Sequence, residues 1–294
     1  MTALHSAAGD RGGLAVVLAA NLLPVAGVVF LGWRAAQILV VYWIEVVVMV
    51  AAYSVAALFA ERPIDLDDRE FYIVGFSESS ELDADRWSDD PEPVGIVSRV
   101  LPATLAAHVP PIYRRNVPVV VRSLGVAGFL AFGALVLAET VVTDPVAAAA
   151  SPTVLAASLA VCVSQAAEIR REFAVTPRYE EWSAYMILEA AQRVVVFYLC
   201  IGMVAVPISF LGLVVVAGLF RSLAVDPAAL GPLAPAEGLD PFALAYVVPF
   251  ALAKAAADRS RRIAFDEATP SGLAGWFAPE DPRPEWQRER DPAR

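Results

Sequence analysis

Two apolar runs, residues 12–33 and 35–60, leave this chain little choice of fold. Arg34 alone stands between them, and Glu45 is the only charge inside the second. A helix needs about 20 apolar residues to cross the hydrocarbon core of a bilayer, and each run supplies them. A signal peptide carries an apolar core of only about 7–15 residues, so the first run reads as a retained helix. Asn21 and Pro24 interrupt it mildly; a membrane helix tolerates proline when neighbours satisfy the freed carbonyl. No segment between the runs is long enough to recross a membrane. The stretch 32–45, GWRAAQILVVYWIE, therefore predicts a tight hairpin with Arg34 and Gln37 at its turn. Glu45 then lies about nine residues past the turn, roughly 14 Å deep at about 1.5 Å per residue.

The pattern repeats along the chain. Further apolar runs occupy residues 117–142, 146–167, 193–220 and 241–257. Arg122 and Glu139 stand near the ends of the first, and Pro207 predicts a kink in the third. The chain is 58% hydrophobic with mean hydropathy +0.58, against roughly 45–50% apolar residues in soluble domains. These observations predict an all-α fold, a multi-pass transmembrane helix bundle of about six helices. Residues 1–60 form a tail and the helical hairpin, residues 61–116 an acidic loop, and residues 117–258 the remaining helices. Residues 259–294 form a charged, disordered tail. Within the loop, residues 61–92 read as solvent-exposed, residues 71–76 resemble a short strand, and residues 94–113 read as an amphipathic segment lying in the interface. His108 in that segment is expected to be a surface residue rather than a ligand.

Net charge is -10, and an acidic chain argues against nucleic acid as a partner. Lys254 is the only lysine among 22 basic side chains, which with the acidic loops suggests a salt-adapted protein. Most arginines fall in residues 61–115, in residues 168–181 and in the tail. By the positive-inside rule these segments face the cytoplasm, as do both termini, in the cytoplasmic membrane. The chain has no GxSxG, no HExxH, no glycine-rich phosphate loop and no CxxC. With only His5 and His108, and with Cys162 and Cys200 inside apolar runs, no metal, cofactor or enzymatic activity is expected. Asp65, Asp67, Asp68 and Glu70 lack the spacing of a calcium loop and read as a solvated acidic face. Ser164 with Glu168 is the faint pair on which an intramembrane enzyme would rest.

Ionisable groups inside spans are costly and mark function or pairing. Glu45 is the sharpest. Arg193 is its preferred expected partner, because a guanidinium grips a carboxylate with two bonds. Glu189 competes for Arg193 at i,i+4. Lys254 enters from the same side, one turn before Asp258. Asn21, Tyr42 and Trp43 complete the candidate polar set with Glu45, Arg193, Lys254 and Asp258. One reading makes Glu45 a proton or cation site, in a transport or ion-coupling role centred on Glu45 and Arg193. The other makes Glu45 part of a structural ion pair, or a protonated acid bonded to a neighbouring helix. A scaffold or assembly role is the alternative function, using the small residues of 146–167 and the acidic loop. The partners expected are the lipid bilayer and, for the scaffold, a protein.

At Pro24, Gly27, Phe30, Gly32, Trp33, Tyr42, Trp43 and Glu45 the sequence resembles an uncharacterised family of prokaryotic multi-pass membrane proteins. That family is a domain of unknown function common in salt-loving archaea. The resemblance continues at Ser164 with Phe173, at Arg193, and at Lys254 with Asp258. It implies a shared membrane fold and no activity. The family pattern places histidines where this chain has Gln165 and Tyr198, so any histidine chemistry of the family is not implied for this member.

Overall fold

The computed structural model describes residues 21–66, 69–77, 93–94, 110–141, 145–176, 178–223, 241–267 and 269–281. The architecture is all-α. Helix α1 is described from Asn21 to Leu31, and α2 spans Ala35–Ala57. Next come a two-residue antiparallel strand pair, β1 (Pro93–Val94) and β2 (Ile112–Tyr113), and helix α3 (Asn116–Val141). Helix α4 is Pro145–Ala149, and α5 is Pro152–Ile169, running on as a π-helical turn over Arg170–Val175. The chain continues through α6 (Arg178–Glu181), α7 (Ala184–Ser222), α8 (Pro241–Asp266) and α9 (Gly272–Phe277).

Local chemistry sets several of these boundaries. Gly32 closes α1 with φ +65, a left-handed conformation that costs an L side chain about 1–2 kcal/mol. There the Trp33 N–H bonds the Gly27 carbonyl at 3.0 Å. The Gln37 side chain then accepts the Arg34 backbone N–H at 3.0 Å, the reach-back of a residue at the third position of a helix toward its cap. At the other end of α2, Asn116 donates its amide to the carbonyls of Leu58 and Ala60 at 3.2 and 2.8 Å. These carbonyls lie where helix termination leaves acceptors without intrahelical partners. Pro152 opens α5 at a position where a missing N–H costs nothing.

Four helices among the described residues are long and apolar enough to cross a membrane: Ala36–Ala57, Asn116–Gly133, Pro152–Phe173 and Ala184–Val204. The expected first span is described only from Asn21. The expected sixth run is a longer helix than predicted. It continues past Ala257 through Asp258, Arg259, Arg261 and Arg262 to Asp266, so its second half carries all six of its charged residues.

The chain divides into two compact units. The first comprises residues 1–43, 138–158 and 195–263. Its core holds Val28, Trp33, Ile38, Val154, Val247 and Phe250. Trp33 is buried against Gly27, with its Nε1 donating to Thr153 Oγ1 at 3.0 Å. The second unit comprises residues 44–137, 159–194 and 264–294. Tyr53, Ile73, Tyr185, Ile187, Leu188 and Phe277 are fully buried there.

Two expectations need correction. Residues 71–76 form no strand; they make an irregular segment with a turn at Val74–Gly75, and Ile73 and Phe76 are buried. Hydrogen bonds from side chains replace a ladder: the Ile73 N–H meets the Tyr185 hydroxyl at 2.8 Å and the Val74 N–H meets Gln192 Oε1 at 2.8 Å. Nor is the tail after Arg259 disordered throughout. It carries the end of α8 and all of α9, which is anchored by the buried Ala274 and Phe277. His108, most of the expected interfacial segment and residues 282–294 lie outside the described residues.

Candidate functional site

Polar side chains gather at one place in each unit. In the first unit Asp258 is the centre. Its Oδ2 accepts from Asn21 Nδ2 and from Lys254 Nζ, both at 2.9 Å, and its Oδ1 accepts from the Tyr198 hydroxyl at 3.2 Å. The donors come from α1, α7 and α8. Asn21 and Lys254 are 3% and 7% exposed. The ammonium also sits 5.9 Å from the centre of the Tyr198 ring, within reach of a cation–π contact. An aromatic tier lies alongside: Phe250 stacks with Tyr246 at 5.6 Å and meets Tyr42 at 4.4 Å and Tyr198 at 6.0 Å. Lys254 and Asp258 share one face of α8 because they are four residues apart. An aspartate holding an ammonium among apolar helices can exchange that partner for a proton or another cation.

In the second unit the centre is Glu189, whose side chain is 0% exposed. Its Oε2 accepts from Arg69 Nη1 at 2.7 Å. Its Oε1 accepts from Arg193 Nε at 2.8 Å and from the Glu280 backbone N–H at 3.0 Å. Arg193 also donates through Nη1 to the Trp276 carbonyl and through Nη2 to Glu280 Oε1, both at 2.8 Å. The Glu280 carboxylate is completed by the Glu70 N–H, which reaches Oε2 at 2.9 Å. Both guanidinium groups lie on rings: Arg69 is 4.4 Å from the Tyr185 centroid, and Arg193 is 4.5 Å from that of Phe71 and 5.3 Å from that of Trp276. This network ties the segment 69–77 and the segment around α9 to one turn of α7. Arg62 adds a pair with Asp281 at 3.3 Å.

The expected residues fall in both units. Asn21, Lys254 and Asp258 come together, with Tyr42 joined to them through the aromatic tier. Trp43 belongs to the same unit and is half-buried, and its Nε1 has no hydrogen-bond partner among the described residues. Arg193 does not take Glu45 as its carboxylate. The competitor Glu189, held one turn away on the same helix, takes its Nε, Glu280 takes its Nη2, and the Trp276 carbonyl takes its Nη1. Glu45 lies in the second unit, 8% exposed, on the buried face of α2 that also carries Met49 and Tyr53. On that face the Tyr53 hydroxyl donates to Glu172 Oε2 at 2.6 Å.

Tyr198, Arg69, Trp276 and Glu280 were absent from the expected set. Only Tyr198 and the tail offered a signal: Trp276 beside Phe277 is an aromatic pair in a segment otherwise rich in charge, and such a pair needs a surface to bury against. Arg69, inside an acidic stretch, looked like a solvated charge.

The chain belongs to a family of unknown function (DUF6498), whose sequence profile matches residues 3–220. The match takes in Asn21, Glu45, Glu189, Arg193 and Tyr198. It ends before Lys254, Asp258, Trp276 and Glu280. No curated protein and no solved structure matches the chain.

Proposed function

We propose, for this member of a family without an assigned function, a multi-pass integral membrane protein of the cytoplasmic membrane that couples to a proton or small cation at Asp258. The observation that carries this reading is the Asp258–Lys254 pair, closed by Asn21 and Tyr198 from two other helices. Burying such a pair costs desolvation that Coulomb attraction repays only in good geometry, so fold stability alone is a poor reason to keep it. The membrane setting is supported by an inverted surface. Phe129, Phe132 and Met203 are 76%, 66% and 74% exposed, while Lys254, Arg193 and Glu189 are buried. Water would favour the reverse. Arg193 has a structural role in this reading, and Glu45 supplies a second intramembrane carboxylate.

The test uses purified protein in vesicles loaded with a pH-sensitive dye under an imposed sodium or potassium gradient. Removing Asp258 alone would take a carboxylate from a buried ammonium and confound folding with flux. The informative variant is Lys254→Met with Asp258→Asn, which removes both charges and nearly keeps the volume; it is expected to fold and to abolish the flux. Glu45→Gln is expected to reduce flux while its thermal midpoint stays near that of the native protein. Undiminished flux in the charge-free double variant would overturn the assignment, and so would native vesicles that pass no ion.

A further inference from the structure

We infer that the Glu280 carboxylate is a tethered occupant of an oxyanion seat, and that the segment 272–281 is a strap which a phosphate group displaces. The inference is independent of ion coupling at Asp258. It rests on how Glu280 is held. One carboxylate oxygen takes a guanidinium N–H of Arg193 and the other takes the backbone N–H of Glu70, at 2.8 and 2.9 Å. A guanidinium N–H and a backbone amide converging on one anion is how proteins bind carboxylates and phosphates.

The charge balance points the same way. Two guanidinium groups share the single carboxylate of Glu189, and Glu280 supplies the second negative charge. Lifting the strap leaves an Arg69–Glu189–Arg193 triad with one positive charge in excess. Glu280 is the exposed member, with 27% of its side chain open against 7% for Arg193 and 0% for Glu189. The seat can therefore exchange its occupant while its walls stay buried.

A third donor shows what the seat lacks. Arg69 Nη2 is buried and has no acceptor among the described residues, although its Nη1 bonds the same Glu189 that receives the Glu280 N–H. A buried guanidinium nitrogen without an acceptor is costly. Glu280 has two oxygens, and both are already engaged. A phosphate monoester offers three terminal oxygens, one more than Glu280 brings to Arg193 and the Glu70 amide. The chemical class is thus a tetrahedral oxyanion, either a free phosphate or the headgroup of an acidic lipid.

The experiment uses the full chain in nanodiscs of neutral phosphatidylcholine, with hydrogen exchange of residues 272–281 as the readout. Inorganic phosphate is titrated at constant ionic strength, and in a second arm phosphatidate replaces part of the lipid. Loss of protection with inorganic phosphate assigns the seat to a free ion, and loss with phosphatidate alone assigns it to a headgroup; either supports the inference. Glu280→Gln removes the tethered charge and keeps the shape. It is expected to expose the strap and to tighten phosphate binding at least tenfold relative to the native chain. The inference fails if the native strap stays protected at saturating phosphate and phosphatidate. It also fails if Glu280→Gln binds phosphate no better than the native chain does.

Discussion

Glu189→Gln probes the second unit at its most loaded point. The substitution keeps the side-chain volume and removes one charge. Among the described residues it leaves Arg69, whose side chain is 1% exposed, with no carboxylate, because Glu189 is the one carboxylate partner it has there and its Nε bonds the Asp65 carbonyl. Arg193 retains Glu280 at 2.8 Å and the Trp276 carbonyl. Breaking a buried pair by removing one partner costs about 3–5 kcal/mol. The Arg193 side loses less, since Glu280 and the Trp276 carbonyl still receive its N–H groups. The expected loss is therefore about 3–5 kcal/mol, a large share of the roughly 5–15 kcal/mol that holds a domain folded. At about 2–4 °C per kcal/mol, the thermal midpoint falls by about 6–20 °C. The assay is thermal unfolding in detergent, followed together with protease protection of residues 269–281. Pairing Glu189→Leu with Arg69→Met removes both charges and is expected to recover part of the loss, by about 0.5–3 kcal/mol of coupling. A midpoint within about 2 °C of the native value for Glu189→Gln would show that the network contributes no such energy.

Three further outcomes follow from single contacts. Gly27→Ala places a methyl 2.3 Å from Trp33 Cε3, in a ring held by Thr153, and should cost about 1–3 kcal/mol through overpacking; an unshifted midpoint would show that the indole moves freely. Tyr53→Phe removes the donor 2.6 Å from the buried Glu172 carboxylate. It should destabilise by about 1–3 kcal/mol, measured by denaturant or thermal unfolding, and a neutral result would mean that Glu172 is satisfied without it. Burial, then the Glu61 carboxylate, pushes the Tyr113 hydroxyl above the usual tyrosine range, and burial, then Glu180, does the same for Tyr179. Both stay protonated in the fold at a pH that ionises them unfolded. That part of the stability is intact below pH about 10 and is lost as pH rises through the raised values. An ultraviolet phenolate titration that matches free tyrosine would refute this.

The all-α class, the spans within α2, α3, α5 and α7, and the i,i+4 spacing of Lys254 and Asp258 were legible because each depends on residues close in sequence. Apolar length, a glycine at a helix end and an i,i+4 spacing are local quantities. The seat around Glu189 was not legible. Arg69, Arg193 and Glu280 are brought together by contacts 120, 4 and 91 residues from Glu189 along the chain. Nothing in an acidic loop or a charged tail announces which of its charges will be buried. A charge is stable inside only when its partner arrives from elsewhere, so packing chose Glu189 over Glu45 for Arg193. The same packing turned a segment composed like a disordered tail into an ordered strap. Hydropathy along the chain decided that the helices form, and long-range neutralisation of buried charge decided which segments close over them.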